Sequence, residues 1–438
     1  MKILLVEPNY RTTFPPLGLL RISAYYKSKG IQPIFVRGCD KQIAQEHWNK
    51  IYVSTLFTFE LPRAVKTIQF YSEAVDNPSE DIIVGGIGVT LLPDYVISNV
   101  TCKVITGPLE HPNIFGENEP PIATFTPDYE ILKTVQKLYR PENAYFTRVT
   151  MGCIRNCGFC AVPVLERKFY YLQPITEQVN NVIKRFGEKR DLIVLDNNIL
   201  ALDNIENVLQ EIYDLGFHKG AIFEKKKRVL DFNQGIDVRL ITPRIANALG
   251  KLAVYPVRLA LDHISVEKKY REGVKLLAEQ GITDFMTYVM FNFNDTPEDF
   301  YRRLEINLEL SEQYNIKITG FPMRYCPIND VNRHYISPKW NWKYLRGIQC
   351  ILSATHGVVS TNPEFFRLSF GRNFEEFRNI VSMPDPYIIY RKKYSEESKL
   401  WRDKFLQLTE ENKAAVFENI KKYQNRKSPN YFDDLLIS

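Results

Sequence analysis

The sequence predicts an α/β protein built from an N-terminal doubly wound parallel sheet, a six-stranded partial (β/α) barrel and a mostly helical C-terminal extension. Three observations carry this. Strand and helix signals alternate from Met1 to about residue 107; a second, regular strand–helix alternation starts near Ala144 and continues for six units; and beyond residue 325 the pattern is helical and rich in aromatics. The expected divisions are therefore residues 1–107, a connector at 108–143, a barrel at 144–325 and an extension at 326–438.

Ile3–Val6 is a continuous apolar run, the pattern of a strand buried on both faces. Pro16-Leu17-Gly18-Leu19-Leu20-Arg21-Ile22 opens an amphipathic helix that runs to Lys29 and is stopped by Gly30. Strand signals return at Gln32–Val36, Ile51–Ser54, Asp81–Val84 and Lys103–Ile105, with helical patterns at Leu61–Ala74 and Leu91–Ser98. Such sheets bind ligands at the carboxyl ends of their strands. Two turns stand there, Phe14–Gly18 and Gly85–Gly88; neither is a Gly-x-Gly-x-x-Gly fingerprint, which argues against a nicotinamide cofactor.

Pro108, Pro112, Pro120, Pro121, Pro127 and Pro141 mark the next stretch as an ordered connector rather than a core element. The barrel strands are expected at Tyr145–Thr150, Leu192–Leu195, Val229–Phe232, Val257–Leu261, Phe285–Val289 and Lys317–Gly320. Helices are expected between them at Thr176–Phe186, Asn204–Leu215, Pro243–Leu252, Ser265–Glu279 and Pro297–Tyr314. Six units fall short of the eight of a closed barrel. The extension should hold helical segments at Phe374–Ile380 and Leu400–Ile420.

Hydrophobic residues at 45% and charged residues at 25% are ordinary for a globular protein with a large core. The apolar run at the N-terminus is too short for a signal sequence or a membrane span, so the reading is a cytoplasmic protein without membrane attachment. The net charge of +6 is spread along the chain, with local runs at Lys225–Arg228, Arg391–Lys393 and Lys421–Lys422. Runs like these are usually solvated faces; the rival reading is a nucleic-acid footprint, although no RNA-binding motif accompanies them.

Chemistry concentrates in Thr150-Met151-Gly152-Cys153-Ile154-Arg155-Asn156-Cys157-Gly158-Phe159-Cys160, where three of seven cysteines are spaced Cys-x3-Cys-x2-Cys. Thiolates this close can converge on one metal centre, and Gly152 and Gly158 let the loop turn. Structural zinc usually takes four ligands, often as two Cys-x2-Cys pairs, and no second pair occurs. Disulfides are disfavoured by the odd cysteine count and the lack of a signal sequence. Three cysteines on a four-iron cubane would leave one iron open to a small molecule.

This spacing, with Phe159 before the last cysteine, resembles the signature of the radical S-adenosylmethionine superfamily. The resemblance implies one 4Fe–4S cluster held by Cys153, Cys157 and Cys160, with S-adenosylmethionine on the open iron and Phe159 beside it. The Phe14–Gly18 and Gly85–Gly88 turns resemble those of the cobalamin-binding-type domain in one branch of that superfamily. Cobalamin is then a further ligand to test, though the Asp-x-His-x-x-Gly motif of other cobalamin proteins is missing. Asp196-Asn197-Asn198 stands where the superfamily places Gly-Gly-Glu, whose role is to bind the methionyl amine; helix capping is the competing role for Asp196. Asn233 and Asp237 suit ribose hydroxyls, and Arg239 suits the methionyl carboxylate. Asp262-His263, Asn292–Asp295 and Arg324 extend this polar rim, while Thr296 and Asp299 read as a helix start.

The activity expected is radical-initiated modification of a substrate, by methylation if a corrinoid is held, with a flavodoxin- or ferredoxin-like reductant as partner. The alternatives are a tRNA- or peptide-modifying radical enzyme without cobalamin, and a non-catalytic iron–sulfur electron carrier or sensor. Nothing in the sequence names the substrate.

Overall fold

The computed structural model describes residues 1–423 except 134, 136–137 and 141–142. Pro141 of the expected connector and residues 424–438 of the expected extension lie outside the described residues. The chain forms two compact units. The first comprises Met1–Gln234, Lys251–Val254 and Cys326–His334, and the second comprises Gly235–Gly250, Tyr255–Tyr325 and Tyr335–Ser438.

In the first unit, β1 (Ile3–Glu7), β2 (Ile34–Arg37), β3 (Lys50–Thr55), β4 (Ile82–Gly86) and β5 (Lys103–Val104) form a five-stranded sheet in the order β2-β1-β3-β4-β5. All its pairings are parallel, with Leu4 opposite Ile34 and Val53 opposite Val84. The pleat sends alternate residues to opposite faces. Leu4, Val6, Ile51, Val53, Ile82 and Val84 pack with Leu61, Ile68 and Tyr71 of α2 (Leu61–Tyr71). Ile3, Leu5, Tyr52 and Ile83 pack with Leu19, Leu20, Tyr25 and Tyr26 of α1 (Leu17–Ser28). Each such side chain contributes about 1.5–3 kcal/mol on full burial. Ile122, Leu132 and Tyr139 join the α1 face. Buried Asp128 anchors that stretch through Ser23 Oγ at 2.7 Å and Lys27 Nζ at 2.8 Å.

The strand expected over Tyr145–Thr150 is broken in two. β6 (Ala144–Thr147) lies in a parallel sheet with β9 (Asp191–Val194) and β12 (Leu230–Phe232), whereas β7 (Thr150–Met151) pairs antiparallel with β8 (Tyr170–Tyr171). The cause is Asp196, whose carboxylate accepts the Val149 and Thr150 N–H groups that a continuous ladder would use. Between β9 and β12 the chain adds an unforeseen hairpin, β10 (Ile222–Phe223) and β11 (Lys226–Lys227), turned through Glu224 and Lys225 at positive φ.

The second unit holds β13 (Val257–Ala260), β14 (Asp284–Phe291) and β15 (Lys317–Arg324) as a three-stranded parallel sheet. The helix Pro297–Tyr314 begins with a complete capping box between Thr296 and Asp299, as their spacing predicts. Val289, Phe291 and Phe300 share one core with Ile348, Phe377, Tyr387 and Trp401 of the C-terminal helices. Gly347 sits where a Cβ would lie 2.4 Å from the Val381 carbonyl oxygen, so the helices Trp342–Ala354 and Phe374–Ser382 cross at backbone contact. The stretch Leu400–Ile420 divides between two helices, Ser395–Leu406 and Glu410–Tyr423.

Candidate metal centre

The cysteine loop leaves the end of β7 at a point fixed by two carboxylates. Asp196, 3% exposed and just past β9, takes Val149 N at 3.0 and 3.1 Å, Thr150 N at 2.5 Å and Thr150 Oγ1 at 2.6 Å. Burial pushes its carboxyl upward in pKa, and those hydrogen bonds from Thr150 and Val149 pull against that shift. Glu166 takes Gly152 N at 2.7 Å and Asn197 Nδ2 at 2.8 Å, and pairs with Arg148. Arg148 also donates to Thr150 O at 3.1 Å. The backbone of Val149, Thr150 and Gly152, three of the four residues before Cys153, is thus tied to side chains rather than to a long strand ladder.

Gly152 is required here. Its φ is +74°, and a Cβ would stand 2.1 Å from the Lys168 carbonyl oxygen.

Beyond that anchor, Cys153, Cys157 and Cys160 are partly exposed and carry free thiols. Arg155 N and Asn198 Nδ2 approach Cys153 Sγ at 3.3 and 3.4 Å, Val162 N approaches Cys160 Sγ at 3.4 Å, and Cys160 N bonds Cys157 O at 2.9 Å. N–H groups aimed at sulfur stabilise thiolates and tune the clusters they hold. Among the described residues no three His, Cys, Asp or Glu side chains are already gathered to hold a metal ion. What fits an iron–sulfur cluster is the donor set itself: three reachable thiols on one short loop, with N–H donors at the sulfurs of Cys153 and Cys160. Phe159 is partly buried on this loop.

The other expected residues divide between the two units. Asp196, Asn197 and Asn198 meet the cysteine loop, but Asp196 does so through backbone and Asn197 through Glu166. Asn233, at the end of β12 in the first unit, bonds Val194 O through its N–H at 3.0 Å. In the second unit Asp237 and Arg239 hold each other: Asp237 accepts Arg239 Nε at 2.6 Å and Nη2 at 3.0 Å. Arg239 therefore presents its charge already paired with that of Asp237.

Sequence reasoning missed Glu166, which has no spacing signal because its partners come from two other segments, Arg148 and Gly152 from one and Asn197 from another. It also missed Arg303, fully buried, which pairs with Asp295 at 2.5 Å and donates to Leu261 O, Asp262 O and Met290 O at 3.1, 2.9 and 2.6 Å. Arg303 knits together the carboxyl ends of β13 and β14. Beside it Asp262 is raised to about 6 by burial, against the pull of the Met290 N–H, Arg303 and Arg239.

At the N-terminal sheet the two suspected turns differ. A Cβ on Gly86, at φ +101°, would meet Thr55 O at 2.3 Å, so this glycine answers to the neighbouring strand. Gly18 faces open space, with nothing within 4 Å of a Cβ.

No protein-family model matches the chain, and no curated protein matches it by sequence. Solved structures do match. The radical S-adenosylmethionine methyltransferase TsrM from Kitasatospora setae, with cobalamin and a 4Fe–4S cluster bound, aligns at 14% identity and a TM-score of 0.54 over 75% of this chain and 77% of that one. The cobalamin-dependent S-adenosylmethionine radical enzyme OxsB, with aqua-cobalamin and S-adenosylmethionine bound, aligns at 13% identity and a TM-score of 0.54 over 100% of this chain and 83% of that one. The chain has the fold of cobalamin-dependent radical S-adenosylmethionine enzymes. That fold accounts for the N-terminal parallel sheet, the further parallel sheets and the helical C-terminal part within one chain. No described helix is long and apolar enough to cross a membrane.

Proposed function

We propose that the protein is a radical S-adenosylmethionine enzyme in which Cys153, Cys157 and Cys160 hold one 4Fe–4S cluster. The observation that carries this reading is the three-thiol loop, anchored by Asp196 and Glu166, in a chain whose fold aligns with TsrM and OxsB over most of its length. When bound, the cluster and S-adenosylmethionine supply a 5′-deoxyadenosyl radical, chemistry that belongs to the cofactor. The chain's own residues have the supporting parts. Glu166 and Asp196 fix the entry to the loop, and the N–H groups of Arg155 and Val162, with Asn198 Nδ2, steady the sulfurs.

Asn197, Asn198 and Phe159 stand on or against the cysteine loop and are the residues of the first unit best placed to meet S-adenosylmethionine. Asn233, in the same unit, is proposed as a further contact. Cobalamin is proposed for the N-terminal sheet, at the strand ends near Gly18, and its presence would make the enzyme a methyltransferase. A flavodoxin- or ferredoxin-like protein is the proposed electron donor.

The test is anaerobic reconstitution of the full chain. About four irons per chain and slow release of 5′-deoxyadenosine with dithionite and S-adenosylmethionine are expected. Cys153→Ala, Cys157→Ala and Cys160→Ala should each abolish the cluster's colour, and Cys102→Ala and Cys350→Ala should keep it. Equal loss in both groups removes the assignment. A stable cluster that never yields 5′-deoxyadenosine points to electron transfer or sensing instead.

A further inference from the structure

The stretch that carries the cysteines also forms a surface of the first unit. Residues 150–171 leave the protein body at β7 and return at β8, with Thr150 opposite Tyr171 and Met151 opposite Tyr170. The charged residues of this stretch are Arg155, Glu166, Arg167 and Lys168. Glu166 is committed to Gly152 N, Asn197 and Arg148. Arg167 and Lys168 are exposed and form no ion pair among the described residues. From outside the stretch, Asp196 is buried against Thr150, and Glu110 accepts the Tyr170 hydroxyl. The charge turned to solvent here is therefore predominantly positive.

Apolar side chains share this face. Ile154 and Val164 are 49% and 50% exposed, and Tyr170 and Tyr171 are exposed on the same stretch. Four large apolar groups on one loop are more than scattered surface exposure, and such groupings mark contacts with another molecule. Asn156 and Gly158, which separate the cysteines, are exposed as well, and the thiols are partly exposed, so the thiols lie just beneath the surface. The hairpin β10–β11 also exposes Lys225, Lys226 and Lys227. It precedes β12, at the amino end of the parallel sheet, whereas the cysteine loop follows the carboxyl end of β6. Only the loop sets positive charge beside the thiols.

We infer that the outer face of residues 150–171 is the docking surface for an acidic one-electron carrier protein. The inference rests on the function proposed above and places its electron donor. Arg167 and Lys168 attract and orient the carrier, Ile154 and Val164 make the apolar centre of the contact, and none of them takes part in the transfer itself. Electron-transfer encounters bury less than about 1,200 Å², an area in keeping with one loop, and charge steers them. A nucleic acid fits this face less well: a site of about 6–10 phosphate contacts needs more cations than Arg155, Arg167 and Lys168 supply.

The experiment titrates the reconstituted full chain with an oxidised, acidic 2Fe–2S ferredoxin by anaerobic calorimetry at low and high salt. Wild type should bind it saturably, and more weakly as salt rises. Arg167→Glu with Lys168→Glu should weaken binding roughly 10-fold or more, and Arg167→Gln with Lys168→Gln by less. Val164→Asp should weaken it too. Lys226→Glu with Lys227→Glu, the same change of net charge on the hairpin, should bind as wild type does. Reduction by ferredoxin should slow in step with binding, while dithionite, which needs no docking surface, should reduce every variant alike.

Iron content and melting temperature are read on each variant. Where the paired Glu variant loses iron, the paired Gln variant and Val164→Asp decide. Absent ferredoxin binding by the wild type, binding unchanged in the loop variants, or an equal loss in the hairpin variant overturns the inference. So does bulk tRNA that displaces ferredoxin from the wild type and no longer binds once Arg167 and Lys168 are replaced. Failure of the dithionite-reduced wild type to release 5′-deoxyadenosine strikes the proposed function instead, and ferredoxin binding still judges this surface.

Discussion

Asp196→Asn tests the division of labour at the cysteine loop. The carboxylate accepts the N–H groups of Val149 and Thr150 and the Thr150 hydroxyl, all three buried. An asparagine keeps one acceptor oxygen and turns an NH2 group toward at least one of these donors. One buried donor then goes unsatisfied, at about 1–3 kcal/mol, offset in part because a neutral amide is easier to bury than a carboxylate. A net local loss of about 1–2 kcal/mol is expected, which speeds amide exchange of the 148–152 segment by roughly 5- to 30-fold if it exchanges by local opening. The assay is hydrogen–deuterium exchange of peptides spanning that segment, with iron content measured on the same samples. Faster exchange there, with S-adenosylmethionine affinity changed only as far as iron is lost, is the outcome the geometry requires. Wild-type exchange together with a selective loss of S-adenosylmethionine affinity would refute the reasoning and return Asp196 to the ligand.

Two further predictions follow from the same structure. Gly152→Ala should cost about 3 kcal/mol or more through strain at positive φ and collision with Lys168 O, whereas Gly18→Ala should be neutral or slightly stabilising in thermal melts; equal melting temperatures would contradict the packing described. Glu7, 3% exposed at the end of β1, is raised from 4.5 to about 7, chiefly by burial, with Tyr139 and Arg37 opposing. A raised carboxyl favours the folded state most below about pH 4.5 and loses that contribution as pH climbs to about 7, by roughly 3 kcal/mol. Glu7→Gln should flatten stability across that window, measured by urea unfolding at several pH values; an unchanged pH profile would falsify this.

The sequence by itself determined the strand and helix alternation of both α/β parts and the position of the cysteine loop. It could do so because buried parallel strands such as Ile3–Val6 need unbroken apolar runs, and because thiol spacing is a local property of the chain. The capping box at Thr296 and Asp299 was legible for the same reason: every partner lies within one helical turn. Tertiary structure alone decided which partners the polar residues past the strand ends meet. Asp196 reads as a ligand group or a cap until Val149 and Thr150 are brought against it from a strand 46 residues away in sequence. Arg239 reads as a free fork until the turn folds it onto Asp237. Gly86 and Gly18 look alike in the sequence, yet one is filled by a neighbouring strand and the other faces open space. Glu166 gave no signal at all. The environment of a polar group, and hence whether it is already satisfied, depends on segments distant in the chain that only folding brings together.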